Sequence, residues 1–178
     1  MNSLFLSILV SAFSHFHNAD TRPDTLSQKM TIPVTYAFDC VTIYNNILVY
    51  ITEGTENEII VRDGEAANNI KFKVTDGVLV IRGKSRMFSG NNPDRMIITV
   101  KDIHCITVMD DAEVRSVGEL SNQNLKLEIY GDGAIYVNTR AVEVNTFISG
   151  LGKIVVNGNF KNTTVNKDSY GNMVTKYK

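Results

Sequence analysis

The residues able to do chemistry in this 178-residue chain are few, and the densest group is acidic: Asp110, Asp111 and Glu113 in VMDDAEV, with Asp132 in IYGDGAIYV. Asp111 and Asp132 are 21 positions apart. If each stands at the same point of a turn in successive strand layers, their carboxylates lie about 5 Å apart, the spacing of neighbouring strands. Two carboxyls at that separation suit a retaining glycosidase, one as acid and the other as nucleophile. The same oxygens, with those of Asp110, could form a weak cation site for Ca²⁺. The plainer reading is a set of solvated turn residues, because aspartate side chains bond readily to local backbone. The sequence favours that plainer reading, with weak cation binding next and catalysis last.

Other reactive side chains are sparse. Apart from His15 and His17 near the start, the only histidine is His104. No second histidine stands beside it to complete a zinc site or a Cys-His nucleophile pair. The glycine-rich GDGA is not followed by a helical pattern, so it does not read as a phosphate cradle. Cys40 in FDCVTI and Cys105 in IHCITV occupy like contexts, which places them at equivalent points of different layers. Layers two or more apart separate Cα atoms by at least about 9 Å, beyond the roughly 7 Å reach of a disulfide. The expectation is two free, buried thiols. Tyr130, Tyr136 and Tyr170 stand close to glycine-rich turns, where they could stack on sugar rings or simply fill strands.

The elements that must position these residues read as strands almost throughout. CVTIY, ILVYIT, EIIVRD, IKFKVT, VLVIRG, MIITVK and CITVM are rich in Val, Ile, Thr and Tyr and are separated by turn signals such as YNN, EGTEN and TDG. RDGEAANNI, around Ala66 and Ala67, is the best helical candidate and is too short to be more than a turn. In the second half the strands fall on a repeat. Gly133, Gly152 and Gly171 are spaced by 19, Ala112 precedes Gly133 by 21, and Val114, Ile135, Ile154 and Met173 follow each at the same offset. Gly131 and Gly150 complete the two GxG phrases.

A period of 19 to 21 suits one coil of a single-stranded parallel β-solenoid, right-handed and β-helix-like, more than any helical repeat. The glycines would then be structural turn residues at one corner. There a chain without Cβ tolerates positive φ or close contact with adjoining layers. An antiparallel sandwich is the alternative fold. Lys161, Lys167, Lys176 and Lys178 would blunt the exposed edge at the C-terminal end.

The apolar run from Leu4 to Phe13 has the length of a signal-peptide core and is too short to span a bilayer. The resulting division is a signal peptide over 1–19, a polar linker over 20–31 and one β-solenoid domain over 32–178. A net charge of −1 and a pI near 6.3 provide no electrostatic footprint for nucleic acid or an anionic membrane.

From about Phe38 onward the order of strands and glycine phrases resembles the family described as putative auto-transporter adhesin, head GIN domain. The resemblance rests on FDCVTIYNNILVYITEGTENEIIV, on IKFKVTDGVLVIRG, and on the Ser-Gly-x-Gly-x-Ile phrase kept best as Ser149 to Ile154. Copies at Asp110 to Val114 and Ser169 to Met173 depart from it. The resemblance implies a parallel β-solenoid of the bacterial cell envelope and, through the family's name, adhesion. The functional expectation is an exported, non-enzymatic adhesion or interaction module that uses no cofactor. Its candidate partners are a surface glycan, a protein ligand or a second copy of the chain, with no nucleic acid and no membrane insertion. The rivals are a polysaccharide-acting enzyme using Asp111 and Asp132, and a purely structural oligomerisation module.

Overall fold

Apolar and polar residues alternate along most segments, and the strands follow that alternation. In CVTIY, Val41 and Ile43 are fully buried while Thr42 between them is only half-buried. The computed structural model describes residues 29–33, 37–62, 69–85 and 93–177. The leader expected over 1–19 and the turn around Ala66 and Ala67 lie outside them. In chain order the strands are β1 (Lys29–Pro33), β2 (Cys40–Tyr44), β3 (Ile47–Glu53), β4 (Glu58–Arg62), β5 (Lys71–Thr75), β6 (Val78–Arg82) and β7 (Asp94–Val100). They continue as β8 (Cys105–Asp110), β9 (Glu113–Gly131), β10 (Ala134–Ser149), β11 (Lys153–Gly158), β12 (Asn162–Lys167) and β13 (Asn172–Tyr177). β1 begins inside the segment read as a linker, because its backbone pairs with β4 from Lys29 onward.

All 13 strands join one sheet. One half runs β5, β6, β2, β8, the C-terminal part of β9, the C-terminal part of β10, then β12. The other runs β1, β4, β7, β3, the N-terminal parts of β9 and β10, then β11 and β13. The sheet curls because β9 and β10 take part in both halves. Inward side chains of the two halves, among them Ile43, Leu79, Val108, Leu127 and Ile129 facing Val49, Ile98, Val114 and Ile135, form a single buried cluster. Burial of such aliphatic side chains contributes roughly 1.5–3 kcal/mol each before chain entropy is counted.

The fold is therefore all-β, but the sheet is mixed, not uniformly parallel as the repeat suggests. β4 pairs antiparallel with β1 and β7, and β5 pairs antiparallel with β6. The reason for the last is local. Asp76 and Gly77 hold φ of 51° and 76°, and a two-residue loop with both angles positive matches strand twist and closes a hairpin. Beyond Cys105 the pairings are parallel, and Ile135 lies opposite Ile154, which in turn lies opposite Met173, at the 19-residue offset read from the sequence.

The odd interval of 21 has a structural cause. Tyr136 faces Arg115 at an offset of 21, but Asn138 faces Glu119 at 19, so two extra residues bulge out around Val117 and Gly118. Gly118 takes φ 84°, and the Ser116 hydroxyl accepts a hydrogen bond from the Asn138 backbone N–H at 2.8 Å where the ladder breaks.

Cys40 and Cys105 form a disulfide, contrary to the expected free thiols. Chain order misled because layers do not stack in sequence. The chain from β4 to β7 builds on the far side of β2 and β3, then returns so that β8 lies directly on β2, Cys40 opposite Cys105 with Cα atoms 4.6 Å apart. At the other end β12 pairs with β10 and β13 with β11, leaving outer edges beside exposed Lys161, Lys167 and Lys176.

Candidate ligand-binding surface

At the corner that joins the two halves of the sheet, Asn45, Asp110, Gly131 and Gly150 hold positive φ of 65°, 60°, 132° and 125°. They form one row. Asp110 faces Gly131, the Asn45 N–H donates to Asp110 Oδ2 at 3.3 Å, and a Cβ on Gly150 would collide with the carbonyl of Gly131. Gly133, Gly152 and Gly171 lie two positions further on and are buried. Their backbone angles are ordinary, and what excludes a side chain there is crowding: a Cβ on Gly152 would stand 2.5 Å from Ile129 Cγ2 and 2.7 Å from the Gly133 carbonyl.

The acidic residues occupy the same corner. Asp110 and Asp132 are exposed and Asp111 is half-buried. The Asp132 N–H donates to the Asp110 carbonyl at 2.8 Å, a turn bond of the backbone. Glu113 is engaged by the Arg115 guanidinium. Among the described residues no group of three or more His, Cys, Asp or Glu gathers to hold a metal ion. His104 lies at the opposite corner, with Nδ1 3.6 Å from Asp39 and Nε2 3.9 Å from Asp102.

That opposite corner carries an open groove of about 640 Å³, lined among others by Lys101, Asp102, His104, Asn122, Arg140 and Lys161. Arg140 pairs with Glu119 at 3.0 Å, and the His104 imidazole stands between Asp39 and Asp102. Of its two rings, Phe160 is buried and the His104 imidazole is exposed.

A smaller depression of about 230 Å³ opens on the outer face of the first half of the sheet. It forms because Leu127, Ile129, Val144, Thr146 and Ile148 point inward, so the residues between them point out. Lys126, Glu128 and Tyr130 come from β9, Asn145 and Phe147 from β10, and Asn166 from β12. In register across three strands stand Glu128, Phe147 and Asn166, with Met109 opposite Tyr130 alongside. The Tyr130 and Phe147 rings are 5.4 Å apart and tilted by 46°. Lys126 pairs with Glu128 at 2.8 Å, and this hydrogen bond, set against partial desolvation, raises the lysine pKa above its ordinary value. Thr107 donates to Glu128 and Asn145 to Glu143, which hold those side chains in place.

The three tyrosines singled out in the sequence thus differ. Tyr130 joins Phe147. Tyr136 is covered by the Arg115 guanidinium at 4.7 Å and approached by Lys153 at 5.9 Å, which occupies its ring face. Tyr170 projects alone, 94% exposed. Phe147 and the Lys126 and Glu128 pair were not singled out, although shifting Glu128 by the 19-residue period lands on Phe147.

No described helix is long and apolar enough to cross a membrane. The geometry defines an all-β module with a solvent-facing sheet surface. The chain belongs to the family described as "Putative auto-transporter adhesin, head GIN domain", which matches residues 37–176. Among solved structures it is similar to a "putative lipid binding protein" from Parabacteroides distasonis, at 13% identity and TM-score 0.67 over 86% of this chain and 68% of that one. It is also similar to a "putative adhesin" from the same species, at 17% identity and TM-score 0.60 over 85% of this chain and 74% of that one. A third, a "putative adhesin" from Bacteroides fragilis, has 15% identity and TM-score 0.52 over 88% of this chain and 99% of that one. At these identities the likeness is one of fold. No curated protein matches the chain.

Proposed function

We propose that the chain is an exported, non-enzymatic interaction module of the cell envelope, used for adhesion, in which the strands from Cys105 onward stack as coils of a short parallel β-solenoid. The 19-residue offsets of its parallel pairs support the coil reading. On this reading residues 1–19 are a signal peptide, and Gly131, Gly133, Gly150, Gly152 and Gly171 are turn residues. Asp110, Asp111 and Asp132 are then solvated corner groups. The family's name supports an adhesive role.

The observation that carries the proposal is the outward row Glu128, Phe147 and Asn166 beside Met109 and Tyr130: side chains from successive coils lie side by side on one open outer face. Such a face suits contact with an extended ligand more than enclosure of a small substrate. The test is retention under flow of beads coated with the full chain, over immobilised glycans and proteins, together with fractionation of the producing cells. Retention well above bare beads and chain outside the cytoplasm are expected. A cytoplasmic chain with no retention on any surface contradicts the proposal.

A further inference from the structure

We propose that the depression between Lys126, Glu128, Tyr130, Asn145, Phe147 and Asn166 is a binding site for an uncharged hexose unit of a glycan, an inference that rests on the interaction-module reading above. Its components match that chemistry. A pyranose has an apolar face of C–H groups and a rim of hydroxyls. Tyr130 is 40% exposed, on the outward phase of a strand whose Leu127 and Ile129 are wholly buried. Its ring packs beside that of Phe147 at 5.4 Å, and because the two are tilted by 46° the pair forms two sides of a shallow apolar cradle.

Around the rings stand groups that exchange hydrogen bonds with hydroxyls: two amides, a carboxylate and an ammonium. Their charges decide the ligand class. Lys126 and Glu128 neutralise each other at 2.8 Å, so a ligand meets dipoles and no uncompensated charge. An acidic or basic sugar gains little from such a pair, whereas a neutral one satisfies both members at once. The 640 Å³ groove is larger, but the one exposed ring in its lining is the His104 imidazole, which lies between Asp39 and Asp102 with no second ring beside it to form a cradle.

The site also has a direction. Met109 lies opposite Tyr130 on one side and Asn166 opposite Phe147 on the other, so the cradle continues across strands and not along them. Neighbouring strands are about 4.8 Å apart. A linear oligosaccharide laid perpendicular to the strands would present successive units to successive strands.

The test is titration of the full chain, by tryptophan-independent calorimetry and ligand-observed saturation-transfer NMR, with neutral hexaoses of glucose, mannose and galactose and with an oligouronate of similar length. Binding of at least one neutral hexaose, weakened tenfold or more in Tyr130→Ala and in Phe147→Ala, is expected. Tyr130→Phe keeps the ring and should retain most of the affinity, and Leu151→Ser, on an exposed turn, should match the parent. Thermal unfolding of each variant separates lost binding from lost fold. Binding of the oligouronate alone, binding unaffected by Tyr130→Ala and Phe147→Ala, or no response to any glycan would overturn the site. Continued bead retention on glycan surfaces by the doubly substituted chain would overturn the site and leave the module reading standing.

Discussion

Cys40 and Cys105 face each other across two neighbouring parallel strands although 65 positions separate them in the chain. Their bond ties the returning β8 to β2 within the parallel part of the sheet, β2 pairing parallel with β6 on its other side. Closing a loop of 65 residues removes unfolded-state entropy worth about 4 kcal/mol. The Cys40→Ser, Cys105→Ser variant should lose stability of that order in urea unfolding, and an unchanged midpoint would contradict the role assigned to the bond.

The corner row separates two demands on glycine. Gly118 has φ 84° with open space around the missing Cβ, whereas Gly150 has φ 125° and the Gly131 carbonyl directly in the way. Gly118→Ala should cost about 1–2 kcal/mol from backbone strain alone. Gly150→Ala should cost distinctly more, because strain and collision add. Equal losses in thermal unfolding would contradict the crowding argument.

Much of this fold was legible in the sequence because alternation is a direct consequence of the pleat. Val41 and Ile43, or Leu127 and Ile129, reveal their inward direction by spacing alone. The order of layers was not legible. Nothing local in FDCVTI or IHCITV says that β8 lies on β2, since that depends on where the chain between them goes. The mixed sheet was half visible: Asp76 and Gly77 are a hairpin signal, but β4 has no local mark of its antiparallel pairing. At the ligand-binding surface Tyr130 could be found from its outward phase, while its meeting with Phe147 depends on the 19-residue register.

The acidic corner should bind Ca²⁺ weakly at most. Asp110 already accepts a bond from Asn45, Glu113 is engaged by Arg115, and no larger group of ligands forms among the described residues. Calorimetric titration with Ca²⁺ should give small heats, the same for the parent and for Asp111→Asn, Asp132→Asn. A saturable heat that disappears in the double variant would establish a cation site instead.

Lys126 provides a pH signature for the candidate ligand-binding face. Its pKa is raised from 10.5 chiefly by the hydrogen bond to Glu128. A raised pKa in the folded state stabilises the fold below the unfolded value, and that gain is lost as pH rises through the folded value. The side chain is more than half exposed, so solvent screening limits the contribution to below about 1 kcal/mol. The melting-temperature gap between the parent and Lys126→Met should therefore be small and constant at neutral pH and close above about pH 10.5. A gap that widens at high pH would contradict the assignment.

As the interaction module proposed, this chain holds its ligand without transforming it. The most direct measurement is mass spectrometry of neutral oligosaccharides recovered after prolonged retention on the immobilised full chain. Oligosaccharides retained and eluted intact are expected. Shortened products, formed by the parent and absent with Asp111→Asn, Asp132→Asn, would contradict it and identify the acidic corner as catalytic.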